Sequence, residues 1–151
     1  MKVLRIVVKG LPHCKEQLDI DFVARQRVDD YDKESLCRVF SNIYTNKAIS
    51  FVGVNASGKT TMLKTISFVL KMLNNAPINS IQARSILDDL DEAQNAIITT
   101  FFYDGSSVNK LETTIGKLVN EVDGSEKLTI RDEKLWAKEE SSVKTKKSLY
   151  D

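Results

Sequence analysis

Eight consecutive residues, Gly53, Val54, Asn55, Ala56, Ser57, Gly58, Lys59 and Thr60, fit the pattern G-x-x-x-x-G-K-[ST]. Each residue type in it has a physical task. The glycines let the backbone curl tightly, so that successive N–H groups point inward at an anion. Lys59 supplies a point charge for the outer phosphates of a nucleotide, and the Thr60 hydroxyl is positioned to ligate Mg²⁺. Thr61 falls in the first turn of the helix that should follow, where unpaired N–H groups and the positive dipole end favour phosphate. The candidate nucleotide-binding set is therefore Gly53, Asn55, Ala56, Ser57, Gly58, Lys59, Thr60 and Thr61, with Thr60 also the metal ligand. The cofactors it implies are ATP and Mg²⁺.

A loop of this kind needs a strand before it and a helix after it. Upstream, Ala48, Ile49, Ser50, Phe51 and Val52 form a short apolar run that predicts a buried strand. Downstream, Met62, Leu63, Ile66, Val69, Leu70 and Leu73 recur at helical spacing, with Lys64, Thr65, Lys71 and Asn74 opposite. Phe68 and Met72 lie off that stripe and predict a second covered side. Asn74, Asn75, Ala76 and Pro77 end the helix.

The remaining elements are read from alternation and turn chemistry. Residues 2–9 predict a strand, and Leu18, Ile20 and Phe22 alternate with Asp19 and Asp21 in a second strand that pairs antiparallel with it. The charged stretch 24–34 predicts a solvated loop. Leu36, Val39, Phe40 and Ile43 have the spacing of a short helix. A further helix is expected over residues 80–90, although Asp88, Asp89 and Asp91 crowd the end where the dipole disfavours them. Residues 95–103, the turn Asp104-Gly105-Ser106 and residues 108–115 predict a β-hairpin. After Asp123-Gly124, residues 127–131, extending toward Trp136, predict another strand. Residues 1–137 thus read as one lobe and 138–151 as a polar tail or the start of a further segment.

Composition sets bounds. The 151 residues suit one domain, with 22 basic against 21 acidic residues and a net charge of +1. That balance does not support a dedicated nucleic-acid surface. No run reaches transmembrane length, and the apolar stretch at the N-terminus is too short for a signal peptide. Cys14 and Cys37 lack metal-ligand spacing and read as reduced thiols of a cytoplasmic protein. His13 reads as a surface residue. For an adenine platform Tyr31 and Tyr44 are the aromatic candidates, against readings in which Tyr31 is a solvated loop residue and Tyr44 packs the short helix. Trp136 reads as a core residue of the β-rich region.

With the loop variant Gly53, Asn55, Ala56, Ser57, Gly58, Lys59, Thr60, the opening strand pair in residues 1–22 and the β-hairpin region 95–136, the chain resembles the N-terminal lobe of an ABC-type ATPase head. The group is that of SMC, RecF and OLD-like proteins and the bacterial AAA family ATPases similar to them. The resemblance implies an α/β, P-loop NTPase-like fold, a mixed sheet with an antiparallel β subdomain in an incomplete head. It also implies a hydrolase in the parent protein, partnership with the remainder of the head, and homodimerisation of the full-length protein. Nucleic acid is a partner of such parents that the charge balance here does not support. The turn at residues 10–15 departs from the family by lacking an arginine, with Lys15 present instead. No apolar strand ends in adjacent acids to polarise water, and no signature segment is visible, so no catalytic residue is assigned. The nearest imitation, residues 97–104, runs into a turn, and Asp104 reads as a turn residue. Gln82 and Gln94 read as solvent-facing. Two other readings stay open: a small P-loop nucleotide or metabolite kinase, and a non-hydrolysing ATP-binding interaction module.

Overall fold

A computed structural model of the chain describes residues 1–26, 28–54, 58–143 and 145–150, with Asp30 described in its backbone only. Its frame is a five-stranded sheet built from β1 (Lys2–Lys9), β2 (Leu18–Asp21), β5 (Asn95–Tyr103), β6 (Ser107–Val119) and β7 (Glu126–Glu139). A separate hairpin comprises β3 (Leu36–Phe40) and β4 (Ile43–Asn46), and the one α-helix among the described residues is α1 (Lys59–Leu73). The sheet order is β2-β1-β5-β6-β7, and every strand pairing in it is antiparallel. The architecture is therefore mixed α/β, mostly sheet.

Register explains how two cores form. Directly opposed residues share a face, so Ile6 with Thr100 and Val8 with Ile98 point one way, while Arg5 with Phe101 points the other. On the first face Phe68 and Val69 of α1 meet Ile6, Val8, Ile98, Ile115 and Leu128, with Ile81 and Leu87 closing the flank. On the second face Leu4, Phe101 and Val108 are covered by Phe40 and Ile43 of the hairpin and by Val143 and Leu149. Gly10 must be glycine: its φ is +73°, and a Cβ there would lie 2.3 Å from the Asn95 carbonyl oxygen.

Four sequence expectations are corrected. Residues 36–43 form a hairpin, because a register shift between Arg38 and Phe40 and a positive φ of 42° at Ser41 compress two strands into helix-like spacing. The helix expected over 80–90 is two 3₁₀ turns, Ile78–Ser80 and Gln82–Leu87, ending before Asp88. Trp136 is half exposed on the sheet, with the Lys110 ammonium 4.8 Å from its ring centre. Val143, Leu149 and Tyr150, beyond the end of β7, pack onto the second core. There the Tyr150 hydroxyl donates to Asp21 at 3.0 Å, and the Arg5 guanidinium lies 4.8 Å from the Tyr150 ring centre. Burial and the Asp21 carboxylate push the Tyr150 phenol well above its ordinary range.

Leu149→Ala removes a buried side chain from that core and should cost about 2–4 kcal/mol in urea unfolding. A loss under about 0.5 kcal/mol, the size of ordinary surface changes, would mean that residues 140–150 contribute nothing to the fold.

Candidate functional site

The candidate loop is positioned from its helical side by burial. Phe68 and Val69 fix α1 on the sheet, and Thr65, fully buried, donates its hydroxyl to the Thr61 carbonyl at 2.8 Å. The first turn is thereby set with its N-terminus facing solvent. Gly58 caps it in the left-handed region, φ +86° and ψ 5°, and its carbonyl accepts the first helical bond from the Met62 N–H at 3.0 Å. A Cβ at Gly58 would meet nothing within 4 Å, so the backbone angle, not space, demands glycine. Among the described residues no side chain caps this end, and no acidic residue occupies the first turn. The positive end of the helix dipole lies at this exposed start.

The other limb of the loop is tied down differently. Phe51 packs against the first core. The Lys59 ammonium donates to the carbonyls of Gly53 and Val54, at 2.7 Å each, which closes the neck of the loop. Thr60 is exposed and Thr61 half-buried. Gly53, Gly58, Lys59, Thr60 and Thr61 are thus gathered at one end of α1, while Asn55, Ala56 and Ser57 lie outside the described residues. The role of Phe51 as an anchor, and of the Gly53 and Val54 carbonyls as lysine partners, was not read from sequence. The apolar run contained the signal for the first, and backbone carbonyls give none for the second.

The strand expected over residues 48–52 is not formed. The segment is irregular, with Val52 93 % and Val54 80 % exposed. The sheet offers it no neighbour, because α1 leads into β5, which pairs antiparallel between β1 and β6.

Other candidates fall away from the loop. Asp104 sits in the β5–β6 turn, where the backbone N–H groups of Ser106 and Ser107, 2.8 Å away, and the Asn109 amide hold its carboxyl far below the usual range. It is a turn residue, as its sequence context indicated. Tyr31 is fully solvated, and Tyr44 lies in β4, not on a helix. His13 is exposed, 2.9 Å from the equally exposed Asp89. Gln82 and Gln94 are exposed. Among the described residues no helix is long and apolar enough to cross a membrane.

Comparison with protein-family models, with curated proteins and with solved structures gives no match for this chain.

Gly58→Ala should cost about 1 kcal/mol through its φ alone, whereas Gly10→Ala, which also collides with backbone, should cost upward of about 2 kcal/mol. Chemical denaturation of the two variants checks the order; equal losses would mean that Gly58 is constrained by contacts, not by its backbone angle.

Proposed function

We propose that the chain binds Mg-ATP at the N-terminus of α1. It would thereby form the phosphate-binding half of an ABC-type, P-loop NTPase-like ATPase head. The observation that carries this reading is the Gly58–Lys59 junction. A left-handed glycine opens a 15-residue helix that, among the described residues, has no capping side chain, and its first turn contains no acid. Beside it the lysine ammonium already bridges two loop carbonyls. Such an ammonium can exchange carbonyl oxygens for phosphate oxygens with little reorganisation.

Thr60 suits a magnesium site of the usual kind, in which one protein hydroxyl joins phosphate oxygens and water. Mg²⁺ held there would supply charge neutralisation for the outer phosphates. The chain's own residues orient the nucleotide: backbone N–H groups of the first helical turn toward one phosphate, Lys59 toward the next. Hydrolysis needs a positioned water, and the sequence has no apolar strand ending in adjacent acids to hold one. The exposed apolar residues of 48–54 favour completion by strands from further polypeptide, in the same protein or in a partner. The all-antiparallel sheet speaks against the kinase reading, whose βαβ units require parallel strands.

Lys59→Ala should weaken Mg-ATP binding by about 2–4 kcal/mol in calorimetry. Unchanged affinity would remove the assignment. Thr60→Ala should reduce affinity more with Mg²⁺ than in EDTA; equal losses would make Thr60 a structural residue. The chain alone should show no steady-state ATP turnover above background. Turnover abolished by Lys59→Ala would instead indicate a complete small enzyme.

A further inference from the structure

β7 closes one side of the sheet, and its outer edge is 14 residues long, against 4 for β2 at the other side. Long open edges are templates for pairing with another chain. Here both ends of the edge are capped. The Leu128 N–H donates to the Asn79 side-chain carbonyl, and the Asn79 amide donates back to the Leu128 carbonyl, both at 2.9 Å. At the other end the Ser142 hydroxyl donates to the Glu139 carbonyl at 2.7 Å.

These caps also reveal which backbone groups face outward. Leu128, opposite Lys117, spends both its groups on Asn79 and so does not bond β6. The Glu140 N–H donates to the Ser106 carbonyl at 3.3 Å, the bond that flanks a non-hydrogen-bonded pair at Ser107 and Glu139. Antiparallel ladders alternate, and the register shift between Thr114 and Ile115, which leaves Arg131 as the extra residue, moves the outward set from even to odd residues of β7. Glu133, Leu135 and Ala137, opposite Thr113, Leu111 and Asn109, therefore turn their N–H and C=O groups away from β6. Of these, the Glu133 N–H is already met by the Asp132 carboxylate, which leaves Leu135 and Ala137 to carry the outward bonds. Leu135 is 62 % and Trp136 45 % exposed beside them.

We propose that β7 pairs antiparallel with β7 of a second copy, about a two-fold axis through Leu135, joining two sheets into one. Charge and length of the edge together select this register: an axis at Ala137 also avoids like charges, but β7 ends at Glu139 and would leave a paired stretch of only five residues. With the axis at Leu135, that residue faces its own copy as a hydrogen-bonded pair. Glu133 then faces Ala137, Lys134 faces Trp136, and Asp132 faces Lys138, whose ammonium also donates to the Ser148 carbonyl at 3.1 Å. No like charges oppose one another. An axis at Glu133 sets two carboxylates face to face, one at Lys134 two ammonium groups, and one at Trp136 opposes Lys134 to Lys138. The pairing involves no residue of the nucleotide loop and stands or falls apart from it.

The paired stretch is short beside the 20–30 residues a side of a standard interface, so dissociation at roughly 10–100 µM is expected. Sedimentation equilibrium of the 151-residue chain should show the mass rising from 17.0 kDa toward twice that value with concentration. A monomer up to about 500 µM would overturn the proposal. Leu135→Pro deletes an outward N–H and leaves the β6 ladder intact, since proline is tolerated at a strand edge. It should be monomeric with an unchanged far-ultraviolet circular dichroism spectrum. Asp132→Lys sets like charges opposite Lys138 and should weaken association roughly fivefold or more, which keeps the test decisive if the proline variant misfolds. A dimer indifferent to Asp132→Lys, or to a folded Leu135→Pro, would overturn the proposal.

Discussion

The seating of Phe68 and Val69 between the sheet and the 3₁₀ segment Gln82–Leu87 is the contact on which the rest depends. It holds α1 against β1, β5, β6 and β7 at once and so fixes where the helix N-terminus points. Burial of two large side chains at this junction outweighs any single polar contact in the molecule by a factor of two or more, at roughly 1.5–3 kcal/mol each. Both limbs are held: Gly58 caps the helix, and Phe51 tethers the incoming chain to the same core. Lys59 then joins the limbs.

Much of this was legible in the sequence. The β1–β2 pair followed from strict alternation of Leu18, Ile20 and Phe22 with aspartates, and the observed register agrees. The β5–β6 hairpin followed from the turn chemistry of Asp104, Gly105 and Ser106, where an aspartate accepts the N–H groups that a tight turn leaves open. The helix after Lys59 followed from its periodicity. Phe68, off the main stripe, revealed the second covered side, and it is the most deeply buried residue of α1 along with Thr65.

What was misread has physical reasons. Spacing of three and four residues fits both a helix face and two short strands joined by a bulge and a turn, so Leu36, Val39, Phe40 and Ile43 were ambiguous; the β-branched and aromatic content of residues 37–45 was the better guide. An apolar run such as 48–52 states that a strand wants burial, not that this chain supplies the neighbours. Among the described residues beyond Glu139, Val143, Leu149 and Tyr150 make the docking contacts, too few to leave a period. In the candidate site, the placement of Gly58, Lys59, Thr60 and Thr61 at the start of α1 was legible because the helical period begins just after them. The carbonyl partners of Lys59 were not, because any residue can supply a carbonyl.

The most direct measurement of the central claim is an amide ¹H–¹⁵N nuclear magnetic resonance titration of the chain with Mg-ATP. Phosphate held by the first turn of α1 should shift the amides of Gly58, Lys59, Thr60 and Thr61 first and furthest, with Leu128 and Leu135 unmoved. Amide shifts confined to the cleft of about 530 Å³ beneath the C-terminal half of α1, lined by Met72, Leu73, Thr113 and Glu133, or no shifts at all, would contradict phosphate binding at this helix.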